Sequence, residues 1–526
     1  MGLYLNPNAD AFQMGLNSQI HVDKTLIITE TNKLVCGQSN FVCMSRPRRF
    51  GKSMVGNLLS AYYSKGCDTR EIFSKMKIGQ VADYDWYLNK LNVIKLDMNG
   101  WYQNAIQRND VASLFSKIHS TLREEFIEQY PDCPFNEDDT LDNLISRVYS
   151  KTGEKFVIII DEYDVLVREQ VPAPLFQSYL SFLNGLFKNT TLRPAIALAY
   201  ITGIMPIVRD KVQSKLNEFD EYTMIEAGVF APYIGFTKEE TQDLCAQYGR
   251  DFDEFERWYD GYKLNDEVSL FNPKSVVSSI MRNNIDCYWS STGSFEALQD
   301  YILMDFEGIK EDVVSMISGS SVEVDVHGFL NTMDSFRSKD DVFTYLIHLG
   351  YLSYNRKDMT CKIPNEEVRK QWILSVKLSP DYKKLMAIVN ASKKLLDATV
   401  NGDADAVAAS LEAAHTEVTN PLTYNDEHCF QSAICLAYFY ANTRYTLIKE
   451  LPTGKGYADL VLIPYLPNIP ALVIELKCNK TAESAIKQIK EKNYCQALSQ
   501  YNGDVLFVGI NYDKDTKVHT CQIEKI

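Results

Sequence analysis

An apolar run, Phe41–Met44, leads into Ser45-Arg46-Pro47-Arg48-Arg49-Phe50-Gly51-Lys52-Ser53, and a stretch of helical character follows. A strand, a loop ending in Gly-Lys-Ser and a helix make up the setting of a phosphate-binding loop. Backbone N–H groups at the helix start would cradle a β-phosphate, aided by the helix dipole. The Lys52 ammonium would reach the β and γ oxygens, and the Ser53 hydroxyl would ligate Mg²⁺. Arg46, Pro47, Arg48, Arg49, Phe50, Gly51, Lys52, Ser53 and Met54 are therefore the expected ATP cradle. Arg46 stands where the general pattern has a glycine. Arg48 and Arg49 bring positive charge to the phosphates; as plain alternatives they are solvated or bind another part of the chain.

About 110 residues on, the apolar run Phe156–Ile160 ends in Asp161 and Glu162. Two carboxylates at the carboxyl end of a parallel strand make a Walker B pair. Asp161 would hold the Mg²⁺ shell and Glu162 would polarise the attacking water. Thr202, at the end of a later apolar run, is either a sensor of the γ-phosphate or a threonine capping the turn before Gly203.

A second constellation lies near the far end. Asp459 is followed sixteen residues later by Glu475-Leu476-Lys477. On a strand, the period of two puts Glu475 and Lys477 on one face and Ile474 and Leu476 on the other. A hairpin with the strand candidate Tyr457–Ile463 would bring Asp459 beside Glu475. Hard oxygen ligands of this kind suit Mg²⁺ or Mn²⁺. Such a metal lowers the pKa of a bound water and steadies charge on a phosphodiester. Lys477 would orient that water or neutralise the transition state, and Glu427, on a helix candidate upstream, is positioned as an additional metal ligand. Residues 444–492 carry eight positive and five negative side chains. A net charge of +3 there, in a chain of net charge −15, favours a polyanionic substrate.

The elements that must position these groups follow from patterning. The 526 residues are 45% hydrophobic and 23% charged, which is globular composition on the scale of about three or four domains. Acidity overall excludes a histone-like basic coat but not a local nucleic-acid site. No apolar run approaches the roughly 20 residues needed to span a bilayer, and the first residues have no signal-peptide character. The twelve cysteines include no CxxC pair, so reduced thiols and a cytoplasmic location without membrane attachment are expected. Four segments stand out. Residues 1–235 alternate buried-strand runs (Phe41–Met44, Val93–Leu96, Phe156–Ile160, Ala195–Ile201) with helices, an α/β pattern with a parallel sheet. Residues 236–375 read as mostly helical and aromatic, a lid with a winged-helix-like region. Residues 376–420 read as a helical connector. Residues 421–526 read as a small α/β domain, with a helix near Glu427–Tyr440, strands at Tyr457–Ile463, Ala471–Lys477 and Val505–Ile510, and a helix at Thr481–Leu498.

Taken together, Arg46–Ser53 (RPRRFGKS), Phe156–Asp164 (FVIIIDEYD), Ile201–Gly203, Trp258–Tyr262 (WYDGY), Gly350–Leu352, Ile363–Val368 (IPNEEV), Gly456–Leu462 (GYADLVL), Val473–Lys477 (VIELK) and Gln488–Tyr494 resemble the bacterial AAA-ATPase-like proteins that carry a C-terminal PD-(D/E)XK nuclease domain. The likeness spans nearly the whole chain, and the RPRRFGKS form of the loop is usual in that family. It implies a P-loop NTPase sheet, a helical middle region and a small PD-(D/E)XK domain. It also implies ATP binding at Lys52 and Ser53 with Asp161 and Glu162 as the Walker B pair. Asp459, Glu475 and Lys477 become the nuclease core, with Gln488 and Tyr494 on the supporting helix. Relatives often carry a basic residue where this chain has Tyr457. The expected function is an ATPase whose nucleotide state gates cleavage of nucleic acid, DNA before RNA, with defence or mobile-element roles by analogy. A homo-oligomer is a further expectation, because AAA-type sites often borrow a neighbour's arginine. The alternative is a P-loop signalling or scaffolding protein whose nuclease-like domain only binds nucleic acid or a partner.

Overall fold

A computed structural model describes residues 2–207, 217–265, 267–289, 294–304, 306–317, 319–330, 336–377, 383–418, 430–431, 434–435, 437–452, 457–465, 469–492 and 503–526. The chain forms two compact units. One comprises Met1–Thr292 with Glu323–Arg369, the other Gly293–Val322 with Lys370–Ile526.

The first unit is built on a five-stranded sheet of β1 (Phe41–Ser45), β2 (Asn92–Asp97), β3 (Phe156–Asp161), β4 (Ile196–Gly203) and β5 (Asp220–Tyr222). The strands lie in the order β2-β3-β4-β1-β5 and every pair is parallel. β1, β3 and β4 are buried along their whole length. Their near-continuous apolar character reflects cover on both faces. One face packs on helices Leu114–Gln129, Leu141–Thr152 and Ala173–Phe187, whose apolar stripes close the core. Against the strands also lies α1 (Lys52–Tyr63), the helix that follows the Gly-Lys-Ser loop. Register places Asp97, Asp161, Thr202 and Met44 in one row at the carboxyl ends of β2, β3, β4 and β1. In open parallel sheets, ligands bind outside that end.

The four strands expected from the sequence are present, and β5 is additional. Within 236–375, the helices are joined by a three-stranded antiparallel sheet of Phe236–Thr237, Val268–Phe271 and Tyr262–Leu264. These strands of two to four residues are too short to show a period. The helical reading of 376–420 corresponds to α2 (Lys383–Val400) and α3 (Ala404–Val418).

The last sheet has the order β6-β7-β8-β9-β10, made of Tyr445–Pro452, Tyr457–Pro464, Ala471–Cys478, Val505–Tyr512 and His519–Lys525. β8 and β9 are parallel, and the other pairs are antiparallel. The crossover between β8 and β9 contains α4 (Ala482–Glu491), opened by a capping box at Thr481. α4 buries Ile486 and Ile489 against Val461, Val473 and Phe507. Its first turn comes so close to β9 that a Cβ on Gly509 would lie 2.4 Å from the Ala482 carbonyl oxygen. Only glycine fits there. Among the described residues no helix is long and apolar enough to cross a membrane.

Candidate active sites

The Gly-Lys-Ser loop turns into α1 through Gly51 at φ 98, a left-handed conformation that glycine adopts without strain. α1 has no side-chain cap and no acidic residue in its first turn. Its leading amides and dipole therefore suit an anion. Lys52 is buried, and its Nζ donates to the carbonyls of Arg46 and Pro47, each at 2.9 Å. Burial pulls its ammonium down to about 8, against the attraction of Asp164, Asp161 and Glu162. At the end of β3, burial raises the Asp161 carboxyl while a hydrogen bond from Ser53 and the charge of Lys52 hold it down. Lys52, Ser53, Asp161 and Glu162 are thus neighbours, the arrangement a nucleotide–Mg²⁺ pair requires. The Thr202 hydroxyl lies fully buried in the same row, with no hydrogen-bond partner among the described residues.

Other predicted cradle residues take different positions. The buried Arg46 guanidinium donates through Nη1 to the carbonyls of Ser45, Tyr222 and Thr223 at 2.8, 3.2 and 2.9 Å. Arg49 donates to the carbonyls of Tyr288 and Trp289. Phe50 packs edge-on to Tyr262, Pro47 is buried, Arg48 is exposed and Met54 is half exposed. Sequence reasoning missed Arg168. Its Nη2 meets Glu162 Oε2 at 2.8 Å and its Nε meets Asp164 Oδ2 at 3.0 Å. Asp164 Oδ2 also accepts the amides of Ile204 and Met205. The readable signal was an arginine six residues beyond Glu162, on the short helix Val165–Arg168.

At the far end, β7 and β8 pair with Leu460 opposite Ile474, and continuing that register by one residue sets Asp459 opposite Glu475. The Leu476 amide donates to Asp459 Oδ2 at 2.7 Å. Glu475 is buried, and its Oε1 accepts from Lys477 Nζ at 2.8 Å and from Gln488 Nε2 of α4. Its Oε2 is buried without a hydrogen-bond partner among the described residues. Desolvation, then the charge of Asp459, raises the Glu475 carboxyl, with Lys477 opposing. A cation beside that oxygen would relieve both effects, so this pair fits a divalent metal. Among the described residues no group of three His, Cys, Asp or Glu side chains could hold a metal ion. Glu427 and Tyr494, both expected at this site, lie outside the described residues. A residue not foreseen, Gln431, donates to the Asp459 carbonyl at 3.0 Å.

Residues 11–213 match the family described as a predicted AAA-ATPase, and residues 425–521 match the PD-(D/E)XK nuclease superfamily. The chain carries an AAA-ATPase-like domain and a PD-(D/E)XK nuclease-superfamily domain. The AAA-ATPase-like match contains the Gly-Lys-Ser loop and the Asp161-Glu162 strand end; the PD-(D/E)XK match contains Asp459, Glu475 and Lys477. An uncharacterized protein in the vnfD 5' region of Azotobacter chroococcum mcd 1 is 23% identical over 291 residues, or 54% of this chain and 52% of that protein. The chain thus spans about half the length of that curated relative. A solved DNA replication initiation factor is 10% identical, with 80% of this chain and 96% of that one covered at a TM-score of 0.25. The Aeropyrum pernix ORC2 protein is 10% identical, with 67% and 92% covered at a TM-score of 0.22. Neither structure carries weight at those scores; the fold class rests on the parallel and mixed sheets themselves.

Proposed function

We propose that this chain binds and hydrolyses ATP at the Gly-Lys-Ser loop and cleaves DNA at a metal-dependent phosphodiesterase site, with nucleotide state controlling cleavage. The observation that carries the second activity is the buried Glu475 carboxylate. Lys477 and Gln488 fix one of its oxygens, and the other has no partner among the described residues.

In this reading Asp459 and Glu475 hold Mg²⁺ or Mn²⁺, with Glu427 as an additional ligand. The metal supplies a bound water of lowered pKa and charge stabilisation at the phosphodiester. Gln488 orients the Glu475 carboxylate, and Lys477 steadies the water or the developing charge. At the other site Lys52 meets the phosphates, Ser53 and Asp161 hold Mg²⁺, Glu162 activates water and Thr202 senses the γ-phosphate. Residues 1–235 serve as the ATPase module, 236–375 as its lid, 376–420 as connector and 421–526 as nuclease. Assembly into a dimer or ring would let a neighbouring subunit complete the ATP site.

The test is cleavage of plasmid and linear DNA, and of RNA, by purified protein with Mg²⁺ or Mn²⁺. Cleavage that vanishes in Asp459→Ala supports the reading. Its absence on every substrate favours the scaffolding alternative.

A further inference from the structure

Arg49 lies in the left-handed region at φ 68, two residues before Gly51. A non-glycine residue there is strained, so something must hold it. Arg49 Nη1 donates to the carbonyls of Tyr288 and Trp289 at 2.8 and 2.6 Å. The amides of those same two residues donate to a single oxygen, Glu367 Oε1, at 2.5 and 2.7 Å. Glu367 Oε2 accepts from Ser275 Oγ at 2.7 Å. Trp289 Nε1 returns a bond to the Arg48 carbonyl at 3.3 Å. The peptide at 288–289 is therefore gripped from both sides, by the phosphate loop through its carbonyls and by Glu367 through its amides.

The rest of the loop has the same kind of support. Phe50 lies edge-on to Tyr262 at 5.2 Å, and the Tyr262 hydroxyl donates to the Gly350 carbonyl at 2.8 Å. Trp289 packs edge-on to Tyr351 at 5.0 Å. Here Arg46 is committed to the carbonyls of Ser45, Tyr222 and Thr223, and Arg49, a strained residue, is held from outside the loop. Glu367 is almost wholly buried, a costly place for a carboxylate unless the bonds it accepts are needed.

We propose that Glu367 is a positioning residue of the ATP site. Through the 288–289 peptide and Arg49 it sets the shape of the phosphate loop, so ATP affinity and the packing of Trp289 are linked. Linkage is reciprocal, so ATP binding must in turn alter the surroundings of Trp289. The proposal rests on the reading of Arg46–Met54 as the ATP cradle.

The experiment uses the full chain. Calorimetry and steady-state hydrolysis measure ATP·Mg²⁺ binding and turnover for the parent, Glu367→Ala, Glu367→Gln and Trp289→Phe. Tryptophan emission is followed during the same titrations. Glu367→Ala should weaken ATP binding at least fivefold, the lower range of couplings between linked sites, raising KM while kcat changes far less. Glu367→Gln should stay close to the parent, because its carbonyl oxygen still accepts both amides. The parent's emission should change on ATP binding, and that change should be smaller in Trp289→Phe, which keeps a ring but lacks the N–H to Arg48 and leaves the other four tryptophans in place. Where Glu367→Ala does not fold, Trp289→Phe decides by a measurable loss of affinity. A parent that binds ATP while the Glu367→Ala and Trp289→Phe variants bind equally well overturns this proposal and leaves the ATP reading intact. An emission change as large in Trp289→Phe as in the parent also overturns it. A parent that binds no ATP overturns both.

Discussion

The amide of Leu476 donates to the carboxylate of Asp459 across the β7–β8 pair at 2.7 Å. That bond orients Asp459 towards the strand position of Glu475, whose carboxyl is raised by burial and by the Asp459 charge. Two carboxylates set opposite each other on paired strands, one of them buried, repel unless a cation or a proton lies between them. The nuclease reading grows from this conflict, and so do two of the predictions.

Asp459→Ala and Glu475→Ala should each abolish metal-dependent cleavage while ATP hydrolysis continues, because the two sites lie in separate units. Lys477→Ala should slow cleavage but keep metal binding, since the ammonium is not a ligand. Cleavage assays and metal titrations on the same preparations check this.

The raised Glu475 carboxyl has a consequence for stability. Its folded value lies above the unfolded one, so its contribution is fully present below the usual carboxylate range and is lost as pH rises through the folded value. Glu475→Gln should therefore raise the Tm of metal-free protein at neutral pH and bring no gain near about pH 3, where the parent carboxyl is protonated in both states. Mg²⁺ should stabilise the parent and not the variant. Thermal melts across pH, with and without metal, read this directly.

Much of this arrangement was legible in the sequence. β1, β3 and β8 are buried apolar runs, and patterning put the candidate residues beside them: Lys52 in the loop after β1, Asp161 and Glu162 at the end of β3, and Glu475 and Lys477 near the end of β8. The edge strands β5 and β10 were not legible, although the edge strand β2 was. β10 (HTCQIEK) is half exposed and mixes polar and apolar residues, and β5 has three residues, two of them acidic. Neither shows a clean alternation, because an edge strand need not be apolar on both faces. Partners distant in sequence were also hidden. Nothing local tells that Arg46 bonds to residues 222 and 223 or that Arg49 bonds to 288 and 289, since backbone carbonyls carry no side-chain signature.

In the proposed reading Lys52→Ala removes the ammonium that would meet the phosphates, and ATP affinity should fall at least tenfold, about 1.4 kcal/mol. Glu162→Gln should retain ATP and stop turnover, because only the carboxylate proposed to activate water is lost. Arg168 pairs with Glu162 at 2.8 Å, so Arg168→Ala should alter kcat for ATP hydrolysis more than affinity. Calorimetry and phosphate release separate the three.

Burial pulls the Lys52 ammonium down to about 8. Below that pH it is charged and attracts phosphate; above it the charge is lost, so parent ATP affinity should fall between about pH 7 and about pH 9. Lys52→Arg should show no such fall, since a guanidinium stays charged. The folded value lies below the unfolded one, so this group makes stability rise with pH between about 8 and the usual lysine value. Binding isotherms at a series of pH values test the first point and thermal melts the second.

The most direct measurement is Mg²⁺-dependent cleavage of plasmid DNA by the full chain, run with and without ATP, for the parent, Asp459→Ala and Lys52→Ala. The account predicts cleavage by the parent, none by Asp459→Ala under any condition, and loss of the ATP effect in Lys52→Ala. Cleavage that survives Asp459→Ala would contradict the catalytic assignment, and cleavage that needs Asp459 but ignores both ATP and Lys52→Ala would contradict nucleotide control.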